Sequence, residues 1–313
     1  MTGVNRAAVV AGIVVVCALT LAQARDGGAM TSGLVWGSER VVEGARSFTS
    51  SVAGLFGADR ASGAEAPAQR RTRDGSAEEA DDFVWRGSVE TDQTVEIKGL
   101  NGAIVAERAS GAEIEVRAEK RARRSDPSDV RIEVIEHARG VTLCAVYPSS
   151  RGRENTCEPG SGGHNNVRNN DVRVTFYVRV PEGVDFLGGT VNGDVEVRDL
   201  ASDVVATSVN GDIEISTTGF AEARTVNGSI DAAMERYDIE AGLSFATVNG
   251  SISLDLPDDV DADVDAKWVN GRLDADLPLQ LVGRVSRRSV QGVLGEGGPE
   301  LHVRTVNGSI HVF

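Results

Sequence analysis

From Asp82 onward, apolar and charged residues alternate in short runs at 94–97, 113–118, 130–135, 141–147 and 172–180. Alternation with a period of two turns one face of each run toward a core, so these segments predict half-buried β-strands. Between them, 148–170 is rich in Gly, Ser, Arg and Asn and reads as a loop. Upstream the period is missing. Residues 25–80 are dominated by Ala, Gly, Ser, Arg and Glu and run into the acidic stretch 78–82. That composition buries too little apolar surface to offset chain entropy, so 25–81 reads as a disordered linker. Within it, Trp36, Val41, Val42, Phe48, Val52 and Phe56 would suit a short amphipathic helix.

A longer period lies over the short one. Asn-Gly recurs at Asn192, Asn210, Asn227, Asn249, Asn270 and Asn307, with Gln291-Gly292 standing in once, at spacings of 16 to 22 residues. The residue before it is always valine: Val191, Val209, Val226, Val248, Val269, Val290 and Val306. Three positions after it stand Val195, Ile213, Ile230, Ile252, Leu273, Leu294 and Ile310. Each repeat therefore reads as two short strands about an Asn-Gly corner. Two-residue hairpins are the rival reading, but hairpins need no identity between successive turns. Columns of identical residues are what stacked parallel coils about 4.8 Å apart require. The prediction is an all-β fold: a parallel β-solenoid of about seven short coils, with a ladder of corner amides and a glycine of positive φ at each corner. Leu100-Asn101-Gly102 follows nearly the same rule and reads as a first coil. The chain then divides into a first coil plus β-rich cap at 82–185 and solenoid repeats at 186–313.

One column resists simple alternation. With Thr190, Ser208, Thr225 and Thr247 facing inward, the valine after each should point out. The favoured resolution is a bulge that turns the valine in; the other is an apolar stripe offered to a partner.

The phrase Thr-Val-Asn-Gly-Asp-Val-Glu-Val at 190–197 has variants at 208–215 and 225–232. Together with 94–106 and the lead-in Val-Arg-Val-Pro-Glu-Gly-Val at 178–184, it resembles the bacterial putative-adhesin β-strand-repeat family of unassigned function. The likeness covers 83–313. It implies a β-solenoid and a cell-envelope or extracytoplasmic location, and it brings no catalytic residues with it. The chain departs from the pattern at Gln291 and Glu296, which implies a distorted penultimate coil.

Composition narrows the picture. Aromatics are 4% of the residues, so the core must be aliphatic, and 36 glycines suit many tight turns. A net charge of −15 excludes nucleic acid as a partner, because phosphate recognition needs a cationic surface. Arg6 is the only charge before Arg25; an apolar run from Ala7 to Ala22 follows it, then Ala22-Gln23-Ala24. That is the layout of a secretory signal peptide over 1–24, or of a membrane anchor if it stays uncleaved. Either one predicts an extracytoplasmic protein that meets the membrane only through its N-terminal segment. Cys17 follows three valines rather than a small residue, which argues against lipoprotein processing. Cys144 and Cys157 form an even pair, read as a disulfide contributing about 3 kcal/mol by loop closure. With only His137 and His164 near them, no metal site and no cofactor is expected.

Candidate chemistry lies on the outward columns. Asp194 and Asp212 are stacked two positions past the corner, and Glu196, Glu214, Asp231 and Asp274 four past it. Carboxylates at strand spacing repel, which invites a cation or ligand, or an acid–base pair of glycosidase type; a solvated face is the plainer alternative. Arg224, Lys267, Arg288 and Arg304 form a partly basic column three before the corner. Four scattered histidines and no nucleophile elbow give no support to Ser-His-Asp catalysis. The reading is a non-enzymatic structural or adhesion module of the cell envelope, with envelope polysaccharide or another envelope protein as partner. The alternatives are a carbohydrate-active enzyme using the stacked carboxylates, and an envelope-stress sensor on an uncleaved N-terminal helix.

Overall fold

The computed structural model describes residues 82–149, 153–237, 242–282 and 286–313; the expectations for 1–81 lie outside them. Among the described residues the structure is all β apart from one 3-10 turn, Pro127–Asp129. No helix among them is long and apolar enough to cross a membrane.

Every strand that enters an Asn-Gly corner joins one sheet, and every strand that leaves a corner joins the other. In the Asn210 coil, for example, Val204–Thr207 leads in and Ile213–Thr217 leads out. Neighbouring coils pair in parallel with their columns aligned: Ile213 lies beside Val195 on one side and Ile230 on the other, and a bulge past Ile215 sets Thr217 beside Leu200. This is a two-layered parallel solenoid. One hydrophobic core runs through it from Val95 to Val312. The two inner faces are complementary in size. On the exit sheet, branched aliphatics stack as Ile104, Val195, Ile213, Ile230, Ile252 and Ile310. Facing them near the corner, the entry sheet carries smaller side chains in the row Gly188, Ala206 and Ala223 before widening at Phe245. Alternation of bulk lets the layers close without voids.

The order of coils departs from the order of the sequence. The stack runs Asn101, Asn192, Asn210, Asn227, Asn249, Asn307, Asn270. The C-terminal repeat is thus inserted between the Asn249 and Asn270 coils. Its strand Glu300–Arg304 pairs in parallel with Leu243–Ala246 on one side and Ala262–Lys267 on the other. The reason is visible in the side chains. Residues 225–230, 247–252 and 305–310 are all Thr-Val-Asn-Gly-Ser-Ile, and the insertion makes these three rungs contiguous. Thr305 Oγ1 donates to the Gly250 carbonyl (2.9 Å), and the Ser309 amide donates to Ser251 Oγ (3.2 Å). The Asn270 coil carries Trp268 in place of that hydroxyl; its ring is buried and closes the core at the end of the stack.

Gln291-Gly292 is not a coil, contrary to the sequence reading. Ser289–Leu294 runs antiparallel to Ala262–Lys267, with Gln291 opposite Asp265, and Gln280–Leu281 pairs with it in turn. Without a corner amide to stack, the segment folds back and covers the edge of the entry sheet. The first coil is a full member of the stack, bonded to the Asn192 coil, with the cap on its other side. There Gly140–Val146 and Arg173–Val180 extend both sheets in parallel. Antiparallel strands then close both edges: Arg131–His137 on the entry sheet, and Ile114–Arg121 with Phe83–Gly87 on the exit sheet.

Candidate functional site

The corners form a continuous amide ladder. Asn192 Nδ2 donates to Asn101 Oδ1 (2.8 Å), Asn210 to Asn192 (2.9 Å), Asn227 to Asn210 (2.7 Å) and Asn249 to Asn227 (2.7 Å). Asn307 then donates to Asn249, and Asn270 to Asn307, each at 2.7 Å. Beneath it runs a hydroxyl ladder: Thr190, Ser208, Thr225, Thr247 and Thr305 each donate to the glycine carbonyl of the adjacent coil. Buried hydroxyls need partners, and the neighbouring corner supplies one.

The corner glycine is required by proximity more than by φ. In Gly193, Gly211 and Gly250 the backbone is not in the left-handed region. A Cβ on Gly211 would lie 1.9 Å from the Gly193 carbonyl oxygen. The valines before the corner are not bulged inward. Val191, Val209, Val226, Val248 and Val306 are half-buried on the corner edge, and Val269 is 36% exposed at the end. Alternation holds, and a sharp corner leaves each valine partly shielded by its neighbours.

Asp194 and Asp212 face solvent, and each has a structural bond. Asp194 Oδ1 accepts the Asp212 amide (2.9 Å), and Asp212 Oδ1 accepts the Ser229 amide (2.7 Å). They cap the next coil's corner, a role that Ser229 and Ser251 continue. The next outward row is Tyr177, Val105, Glu196, Glu214, Asp231, Ser253, His311, Asp274. Glu196 is bonded by Arg198, which also reaches Glu107 (3.2 Å). Glu196, Glu214 and Asp231 are thus stacked, while Asp274 is separated from them by Ser253 and His311. No group of three or more potential metal ligands occurs among the described residues.

On the entry sheet, Arg224, Ala246, Arg304 and Lys267 share a row. Arg288 lies outside it, in the turn before the antiparallel strand. Asp265 bonds Lys267 (2.7 Å) and Arg304 (3.3 Å). Burial works to raise the Asp265 pKa, but these two cations outweigh it and hold the carboxyl below its ordinary value.

The Cys144–Cys157 disulfide joins a strand of the cap to the loop beyond it, with Cα atoms 5.7 Å apart. Sequence reasoning missed what clamps the rest of that loop. Lys98 Nζ donates to the carbonyls of Glu158 (2.5 Å), Gly160 and Gly162 (3.2 Å), while Glu96 Oε2 accepts the Gly160 amide (2.9 Å). Burial pushes the Lys98 pKa down, opposed by the Glu96 carboxylate. The available signal was the alternation Thr94-Val95-Glu96-Ile97-Lys98, which puts Glu96 and Lys98 on one face of the strand.

The fold defines the class of protein, a capped parallel β-solenoid of Asn-Gly coils. Residues 185–312 match the family model described as Toastrack DUF4097, and the resemblance to the putative-adhesin repeat family holds over them. No curated protein matches the chain. Among solved structures, a putative cell adhesion protein from Clostridium sporogenes is similar at 10% identity and a TM-score of 0.39, covering 74% of this chain and 99% of that one. A putative adhesin from Bacteroides fragilis is similar at 15% identity and a TM-score of 0.32, covering 74% of this chain and 97% of that one.

Proposed function

We propose that the chain is a non-enzymatic, extracytoplasmic interaction module of the cell envelope, presenting a stiff repetitive face to a polysaccharide or protein partner. The observation that carries this reading is the uninterrupted ladder of seven corner asparagines. Its amides bond to one another, which stiffens the stack and leaves two broad charged sheet faces available for contact. Asp194 and Asp212, the best candidates for acid–base chemistry, hold backbone amides instead of facing each other across a cleft. The disulfide favours an oxidising compartment, and the apolar run of Ala7–Ala22 favours export.

The test has two parts. In intact cells expressing the full chain, Cys144 and Cys157 should resist alkylation until a reductant is added, and external protease should reach the solenoid. A binding screen of the full chain against envelope polysaccharides and proteins should then return a partner without any cleavage product. Reduced thiols and a protease-shielded chain would sink the location; turnover of a glycan abolished by Asp194→Asn with Asp212→Asn would sink the non-enzymatic reading.

A further inference from the structure

The exit sheet has a groove near its capped end, with a volume of about 260 Å³, lined by Val105, Glu107, Glu115, Arg117, Tyr177 and Arg179. It exists because of one short side chain. In the row Arg117, Tyr177, Val105, Glu196, valine is the only small residue, so its neighbours rise as walls around it. Tyr177 is 41% exposed, unusual in a chain so poor in aromatics. The Arg117 guanidinium lies 5.4 Å from the centre of its ring, which steadies the ring above the sheet.

The adjacent row alternates in charge across five strands: Arg86, Glu115, Arg179, Glu107, Arg198. Its outer members are paired, Arg86 with Glu115 (3.0 Å) and Arg198 with Glu107 (3.2 Å). Arg179 sits between two carboxylates that other arginines already hold, and among the described residues it makes no ion pair. It is one of the residues that line the groove. A guanidinium in this position suits a carboxylate, which it can meet with two parallel hydrogen bonds. The tyrosine ring and the Val105 floor suit the C–H face of a sugar ring, and Glu107 and Glu115 offer acceptors to hydroxyls.

We propose that this groove binds a saccharide bearing a carboxylate, a uronic acid unit, with the sugar ring over Tyr177 and the carboxylate on Arg179. The proposal rests on the interaction-module reading and names the ligand class for it. Only one acidic unit fits deeply. On the side of the repeats, Glu214 and Asp231 follow in the same row and repel a second carboxylate. A longer chain therefore leaves toward the Phe83–Gly87 edge, where Arg86 lies.

The test is calorimetric titration of the full chain with tri-galacturonate and with its methyl ester, which keeps the rings and removes the charge. The free acid should bind, and the ester should bind about tenfold more weakly or worse, the factor expected for loss of a charged hydrogen-bonding partner. Arg179→Gln should abolish the preference for the acid, and Arg179→Lys should restore part of it. Tyr177→Ala should weaken both ligands by a similar factor. Arg272→Gln, on the same sheet at the far end, should change neither. Thermal midpoints should stay together, since all these side chains are exposed. No binding of the acid, equal affinity for acid and ester, or full affinity in Arg179→Gln would each overturn the proposal. The two readings fail separately. Binding to another envelope component that survives Tyr177→Ala leaves the module reading standing and removes the groove from it. Arg179-dependent binding by a chain found in the cytoplasm does the reverse.

Discussion

At the disulfide end of the stack both sheets continue past the last Asn-Gly coil; at the Trp268 end only one does. The disulfide end adds a parallel strand to each sheet, then one antiparallel strand to the entry sheet and two to the exit sheet, and fastens its loop with Cys157, Lys98 and Glu96. At the opposite end, Ser289–Leu294 and Gln280–Leu281 cover the entry sheet, while the exit sheet stops at Leu273–Ala275, three residues long. Exposed apolar residues gather there: Val269, Leu281 at 60% and Val282 at 54%. A solenoid can thus be closed by two means, a covalently braced cap or a single buried indole with a short edge strand. The first also carries the groove lined by Val105 and Tyr177.

The comparison can be broken most forcefully in the middle of the stack. Gly211→Ala forces a Cβ onto the Gly193 carbonyl and should destabilise the protein by about 3 kcal/mol or more. Gly111→Ala, in a loop of the cap with open space around it, should cost less than about 0.5 kcal/mol. Denaturant unfolding of both variants reads the difference; equal midpoints would contradict the close stacking of corners. Next in size is Cys144→Ser with Cys157→Ser, expected to cost about 2–3 kcal/mol. Hydrogen exchange should quicken at 153–170 and leave the Asn270 coil unchanged; a uniform loss would mean that the two ends are not independent.

A smaller effect separates interior from terminal rungs. Asn227→Ala removes two amide–amide bonds and Asn270→Ala one. At about 1 kcal/mol per bond, the first should cost roughly twice the second. Smallest is a pH effect confined to the disulfide end. Asp171 accepts the Ser125 amide (2.8 Å), a bond that holds its carboxyl well below the usual range. A depressed folded pKa means that its contribution is complete above the ordinary carboxylate value of about 3.9. It fades only as the pH falls through the lower folded value. Exchange of the Ser125 amide, followed by NMR, should therefore keep its neutral-pH protection at pH 5 and lose it only in strong acid.

The middle of the stack could be read from the chain because like residues stack on like, so that columns in the sequence are columns in space. The strands of the cap other than Phe83–Gly87 were equally legible from alternation. Coil order was not. The signal existed, since the three identical hexapeptides at 225–230, 247–252 and 305–310 belong together, but a repeat read in chain order assumes that each coil follows its predecessor. Gln291 misled for the related reason that Val290 and Leu294 keep the apolar columns while running in the opposite direction. The groove was invisible because it joins Tyr177 to Val105, 72 residues apart in sequence, through a parallel pairing that the sequence does not announce. Asp194 and Asp212 looked like a site because their bonds to backbone amides of the next coil leave no mark on composition.

The inserted C-terminal rung has a mechanical consequence. In a solenoid wound in chain order, a pull on the last residue peels away one coil at a time, rupturing bonds along a single seam. Here the final strand, Ile310–Val312, is held between Ile252–Asp255 and Leu273–Ala275. Tension applied beyond Val312 must draw this strand out from between two seams at once, so the inserted rung acts as a wedge that resists unravelling.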